Sequence, residues 1–140
     1  MDYCIKNRKG KIMKKLQFTL PAVILACIFA GCSTVTSPEG EWFMQDTPEG
    51  ITATIFLQPD GELAGSTGLN NYFGSYIASE DGNIILDPKG MTRMAGRPQD
   101  MEFENEFLEM IRAADSYEIV SGEMLLKDNG TTIAVFKKGN

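Results

Sequence analysis

Turn signals recur about every ten residues from position 51 onward, with apolar and polar residues alternating between them. That combination restricts the chain to short antiparallel strands in a small sandwich or barrel. Ile51, Ala53, Ile55 and Leu57 alternate with Thr52, Thr54, Phe56 and Gln58, which predicts a strand ended by Pro59-Asp60-Gly61. Proline presets one φ of that turn and glycine accepts a positive one. The chain then pairs back through residues 62–68. Further strands are predicted over 72–79 and 84–87, joined by Glu80-Asp81-Gly82-Asn83. Towards the C-terminus, 117–120, 124–127 and 131–137 repeat the pattern, separated by Ser121-Gly122 and Asp128-Asn129-Gly130. The fold class expected is mainly β, a barrel-like or strongly curved antiparallel sheet of about seven or eight strands.

One segment has a different period. Over residues 98–114, Phe103, Phe107, Met110, Ile111 and Ala114 fall at helical spacing, with Pro98 in the first turn, Asp100, Glu102 and Glu104 near the positive dipole end and Arg112 near the negative one. An amphipathic helix is expected to cover the sheet with this stripe. Its glutamates, Glu102, Glu104, Glu106 and Glu109, are expected to form a solvated face. Trp42, the single tryptophan, is read as a core plug.

The N-terminal segment, residues 1–31, reads as an address. Lys14-Lys15 precede an apolar run, residues 16–30, that contains Pro21 and is shorter than the roughly 20 residues a spanning helix needs. Phe29-Ala30-Gly31-Cys32 resembles a bacterial lipobox, which implies diacylglycerol on the Cys32 thiol and cleavage before it. Residues 1–31 are expected to be the signal peptide, with Met13 as an alternative start, and 32–40 the lipidated cysteine and a flexible tether. Cys4 and Cys27 would leave with the leader, so no disulfide is expected within the remainder. Ser33 after the cysteine points, by analogy with proteobacterial sorting, to the outer membrane.

Charge and composition then exclude function classes. From Cys32 onward the chain has seven Lys and Arg against eighteen Asp and Glu, a net charge of −11, so nucleic-acid partners are not expected. Histidine is absent, which removes Ser-His-Asp triads and His-based zinc sites. Asp60-Gly61-Glu62 and Glu80-Asp81-Gly82-Asn83 lack the ligand spacing of an EF-hand, and neither metal nor cofactor is expected.

Gly68-Leu69-Asn70-Asn71-Tyr72-Phe73-Gly74-Ser75-Tyr76 and Met91-Thr92-Arg93-Met94-Ala95 resemble the signature segments of the META/HslJ domain family. The strand pair over 51–68, Glu106-Phe107-Leu108 and the closing Ala134-Val135-Phe136 stand in the family order, so the resemblance covers residues 41–138. It implies a small, mostly antiparallel β domain, barrel-like in topology, with one helix between early and late strands. It also implies a non-catalytic envelope lipoprotein of the kind associated with heat shock, envelope stress and antibiotic tolerance. The family often has cysteines where this chain has Leu69 and Gly96, so packing alone is expected to join the two motifs. Asn70 is read as a left-handed or turn residue, and Gly74 as a point of close strand approach. Both are assigned structural roles, as are Thr92 and Met94.

Tyr72 and Tyr76 share a strand face with Arg93 nearby. They are the candidate ligand or partner contacts, two hydroxyl donors and a cation for an anionic group, although pairing of Arg93 with a carboxylate competes. The expected role is binding or structural, by a monomer held to the membrane through Cys32, with an envelope protein or small molecule as partner. The alternatives are a protease inhibitor presenting residues 89–99 as a loop and a carboxylate-based hydrolase.

Overall fold

The alternating segments form eight strands of one antiparallel sheet. The computed structural model describes residues 37–140. The expected leader, Cys32 and the start of the tether lie outside the described residues. The strands are β1 (Gly40–Met44), β2 (Thr54–Leu57), β3 (Glu62–Ser66), β4 (Asn71–Ala78), β5 (Ile84–Met91), β6 (Ser116–Val120), β7 (Glu123–Asp128) and β8 (Thr131–Lys138), and the helix α1 (Pro98–Ala113) stands between β5 and β6. Their order across the sheet is β5-β4-β3-β2-β1-β8-β7-β6, so β1 joins the early hairpins to the late ones.

The sheet curls until its edges meet at one point, but it is not closed. A single antiparallel bridge links Asn83 to Ser116. Around it the Ile84 N–H donates to the Asp115 carbonyl at 3.0 Å and the Tyr117 N–H to the Gly82 carbonyl at 2.7 Å. Beyond that bridge the edges of β5 and β6 have no ladder between them, and α1 packs on the sheet. Phe107, Leu108 and Ile111 join Trp42, Ile55, Leu57, Met124, Leu126 and Phe136 in one core. Burial of this kind stabilises a domain by roughly 1.5–3 kcal/mol for each large apolar side chain. Trp42 is the expected plug: its indole N–H donates to the Pro38 carbonyl at 2.7 Å, which satisfies the ring's one polar atom inside the core.

Three expectations on the elements change. The first predicted strand narrows to Thr54–Leu57, although the Ala53 carbonyl still accepts from the Met44 N–H. The fourth, β5, lengthens from 84–87 to Ile84–Met91 despite Pro88. An edge strand tolerates a missing N–H, and a bulge at Phe73/Gly74 lets Pro88 stand opposite Gly74. A Cβ on Gly74 would collide with the Asp87 carbonyl oxygen, so the expected close approach is met by backbone. The third change follows from the second. With residues 89–91 in β5 and 98–99 in α1, the presumed inhibitory loop shrinks to residues 92–97.

Candidate functional site

The paired motifs meet around a buried amide. Asn70 stands in the bend that joins β3 to β4, so it is a turn residue rather than a left-handed one; among the described residues the non-glycine residues with positive φ are Asp46, Ser121 and Asn129. Asn70 is almost wholly buried, and its side chain bonds to two separate segments, residues 92–94 and α1. Its Oδ1 accepts from the Thr92 hydroxyl at 2.9 Å and the Met94 N–H at 2.7 Å. Its Nδ2 donates to the Met94 carbonyl at 3.2 Å and to Oε2 of Glu104 at 3.0 Å. The Asn70 backbone N–H donates to Oγ1 of Thr67 at 2.9 Å, and that hydroxyl lies 2.6 Å from Glu104 Oε2. A hydroxyl has one proton to give, and the carboxylate is the stronger acceptor, so Thr67 donates to Glu104.

Two further expectations are corrected by this network. Glu104 does not belong to the solvated face with Glu102, Glu106 and Glu109, because it turns inward to Thr67 and Asn70. The motifs are also not joined by packing alone. Leu69 does lie against Gly96, where an added Cβ would come within 2.7 Å of the leucine Cδ1, but the Asn70 bonds to Thr92 and Met94 act beside that contact.

The two tyrosines face inward from β4 but into different places. The Tyr72 hydroxyl crosses over Gly65, where any Cβ would strike it, and donates to the Thr54 carbonyl at 2.8 Å. Its ring meets Phe107 at 5.9 Å between centroids, in a tilted arrangement. The Tyr76 hydroxyl donates to the Gln58 carbonyl at 2.8 Å. Both protons are therefore already given to backbone. Tyr76 lines a cavity of about 510 Å³ with Pro38, Pro59 and Tyr117, whose carboxylates Glu39, Asp60 and Glu80 stand exposed at the rim. Tyr72 lines another, of about 300 Å³, between β5 and α1. Of the candidate contacts, Tyr72 and Arg93 are brought together and Tyr76 is not.

Sequence reasoning missed two cations of this second cavity, Lys89 and Arg112. Tyr72, Pro88 and Leu108 are its buried apolar lining, while Lys89, Arg93 and Arg112 are exposed around it. Among the described residues Arg93 forms no ion pair, against the expectation that a carboxylate would claim it. By spacing Arg112 reads only as a partner of the helix dipole, and the chain reversal that brings it beside Lys89 leaves no mark in local spacing. Among the described residues no group of three or more Cys, Asp and Glu is placed to hold a metal ion, and no helix is long and apolar enough to cross a membrane.

Burial also fixes an alkaline property. Removal from water pushes the Tyr72 phenol far above its ordinary value of 10.0, and desolvation raises Tyr76 and Tyr117 as well. A pKa higher in the folded state leaves stability unchanged below about pH 10 and lowers it as pH rises beyond, because the unfolded chain then releases the proton first. Tyrosinate absorbance during an alkaline titration should show the Tyr72 signal only as the protein unfolds. Tyr72→Phe should remove one tyrosinate from that cooperative step and leave the earlier part of the curve in place.

An open, helix-covered antiparallel sheet with paired motifs locked by a buried asparagine defines a class of small β domains. The META domain model matches residues 34–140, and the chain belongs to that family. Two solved structures share the fold. A DUF4847 family protein from Bacteroides vulgatus is 17% identical, covering 79% of this chain and 96% of its own, with a TM-score of 0.56. A protein from Burkholderia xenovorans, solved by NMR, is 21% identical, covering 73% of this chain and 83% of its own, with a TM-score of 0.60. Among curated proteins no match was found.

Proposed function

We propose that this chain is a lipid-anchored envelope protein whose META domain has a non-catalytic binding role, serving envelope stress or antibiotic tolerance at the outer membrane. The observation that carries the reading is the position of the family match. It begins at residue 34, so the basic and apolar segment and Cys32 all precede the domain. A leader, a lipidated cysteine and a short polar tether account for that stretch without drawing on the fold. The lipid would confine the domain to a membrane face and raise its local concentration there.

The binding half of the reading draws on the cavity between β5 and α1, where cations surround an apolar lining. Catalysis by paired carboxylates finds less support, since Glu39, Asp60 and Glu80 stand in open solvent and Glu104 is bonded into the Asn70 network. The anchor is tested by labelling cells with radioactive palmitate. The native chain should incorporate label and move with the membrane fraction, while Cys32→Ala should lose both properties. Equal incorporation in the two chains would remove the lipoprotein reading. A deletion strain that tolerates heat and envelope-directed antibiotics as well as its parent would remove the stress role.

A further inference from the structure

We propose that the cleft between β5 and α1 binds an oxyanion, a phosphate or carboxylate borne on a small molecule with an apolar part. This rests on reading the domain as a binding module and names the ligand class of that same site. The described residues include seven cations and eighteen acids, and of the four cations outside the cleft Arg97 and Lys127 are held in close ion pairs, while Lys137 has only a loose, exposed one. Arg97 pairs with Asp100 at 2.8 Å, Lys127 with Glu118 at 2.6 Å and Lys137 with Glu123 at 3.8 Å, while the Lys138 ammonium lies 5.4 Å from the Trp42 ring centroid.

The cleft differs. Among the described residues neither Arg93 nor Arg112 forms an ion pair, although acids outnumber bases more than two to one. Among the described residues Arg112 reaches only the Pro88 carbonyl, at 3.4 Å, which leaves most of its five donors unused there. Lys89 approaches Asp87 at 3.7 Å with both side chains more than half exposed, a weak and screened pair. Asp87 itself does not line the cavity. The three cations line one cavity, and an anion seated in it would offset their charges. Two planar guanidinium forks match the oxygens of a phosphate or carboxylate, and the ammonium adds a point charge.

The lining adds selectivity. Tyr72, Pro88 and Leu108 remove water from one side of the incoming group, which strengthens the charged hydrogen bonds and offers an apolar surface to the rest of the ligand. A volume of about 300 Å³ is at the small end of ligand cavities.

The test is an NMR titration of the isotope-labelled full chain in neutral detergent with inorganic phosphate, phenyl phosphate and benzoate. Saturable shifts are expected at the amides of Gly90, Met91, Leu108 and Arg112, with phenyl phosphate binding more tightly than inorganic phosphate because its ring lies on the apolar lining. Tighter binding of phenyl phosphate than of benzoate assigns the natural group as a phosphate, and the reverse order as a carboxylate. Arg93→Ala with Arg112→Ala should weaken binding about tenfold or more, whereas Lys137→Ala should leave it unchanged. Arg112→Lys should weaken it less than Arg112→Ala, and Arg93→Ala alone carries the test if the double variant does not fold. Shifts that never saturate, shifts that centre on Lys127 and Lys137, or undiminished binding by the double variant would overturn the proposal. Loss of binding with palmitate labelling intact removes the cleft alone; loss of labelling with binding intact removes the anchor alone.

Discussion

Asn70→Ala should destabilise the domain by about 3 kcal/mol, a large fraction of the roughly 5–15 kcal/mol that holds a small domain together. The substitution removes the acceptor for the Thr92 hydroxyl and the Met94 N–H and the donor to Met94 and Glu104. Thr92 and Met94 regain water because their segment is exposed, which limits the loss. Glu104 has less recourse, since its carboxylate faces Thr67 and the space the amide occupied. Asn70→Asp separates this account from simple packing. It keeps the size of the side chain and places a second carboxylate beside Glu104, so at neutral pH it should destabilise at least as much as alanine. Its deficit should shrink as pH falls, because a carboxyl of the repelling pair that takes up a proton can donate again. Urea unfolding of the three chains at pH 7 and pH 4.5 gives the comparison. A deficit for the aspartate variant that is the same at both values would show that charge beside Glu104 is not the cause.

Much of the architecture is legible in the sequence because it rests on local rules. The period-two runs, the Asp-Gly and Asn-Gly turns and the 98–114 stripe each depend on residues within a few positions of one another, and they mark most of the strands and the helix. Boundaries moved where tertiary context overruled propensity: Pro88 would end a central strand but sits on an edge opposite a bulge. The site was less legible because its members come together from distant positions. Asn70 and Glu104 bond across 34 positions. One signal was present: Glu104 stands three, four and seven residues before Phe107, Leu108 and Ile111, which puts an acid on the apolar stripe, where an unpaired charge would not be tolerated. The tyrosine hydroxyls had no such signal, because the carbonyls that accept their protons belong to β2 and to the turn that follows it.

Phe107→Ala should have the largest effect of any single truncation in the helix, about 3–5 kcal/mol. The ring is 2% exposed, meets Tyr72 on the sheet at 5.9 Å and stacks with Phe103 at 6.1 Å. Removing it opens a cavity where the helix covers the sheet, and the neighbours cannot close it by collapse. Tyr72 is held by its bond to Thr54 and Leu108 is fixed by the same turn of helix. In a domain of this size the loss corresponds to a fall in melting temperature on the order of 20 °C. Trp42 supplies the readout, since it is the chain's single tryptophan and lies 1% exposed in the same core. Its fluorescence should shift to the red at the unfolding transition, at lower urea in Phe107→Ala than in the native chain. Glu106→Ala, one position away on the exposed side, should unfold within about 0.5 kcal/mol of the native chain. If the two variants unfold together, the helix is not what seals the interior, because only one of the two side chains reaches the sheet.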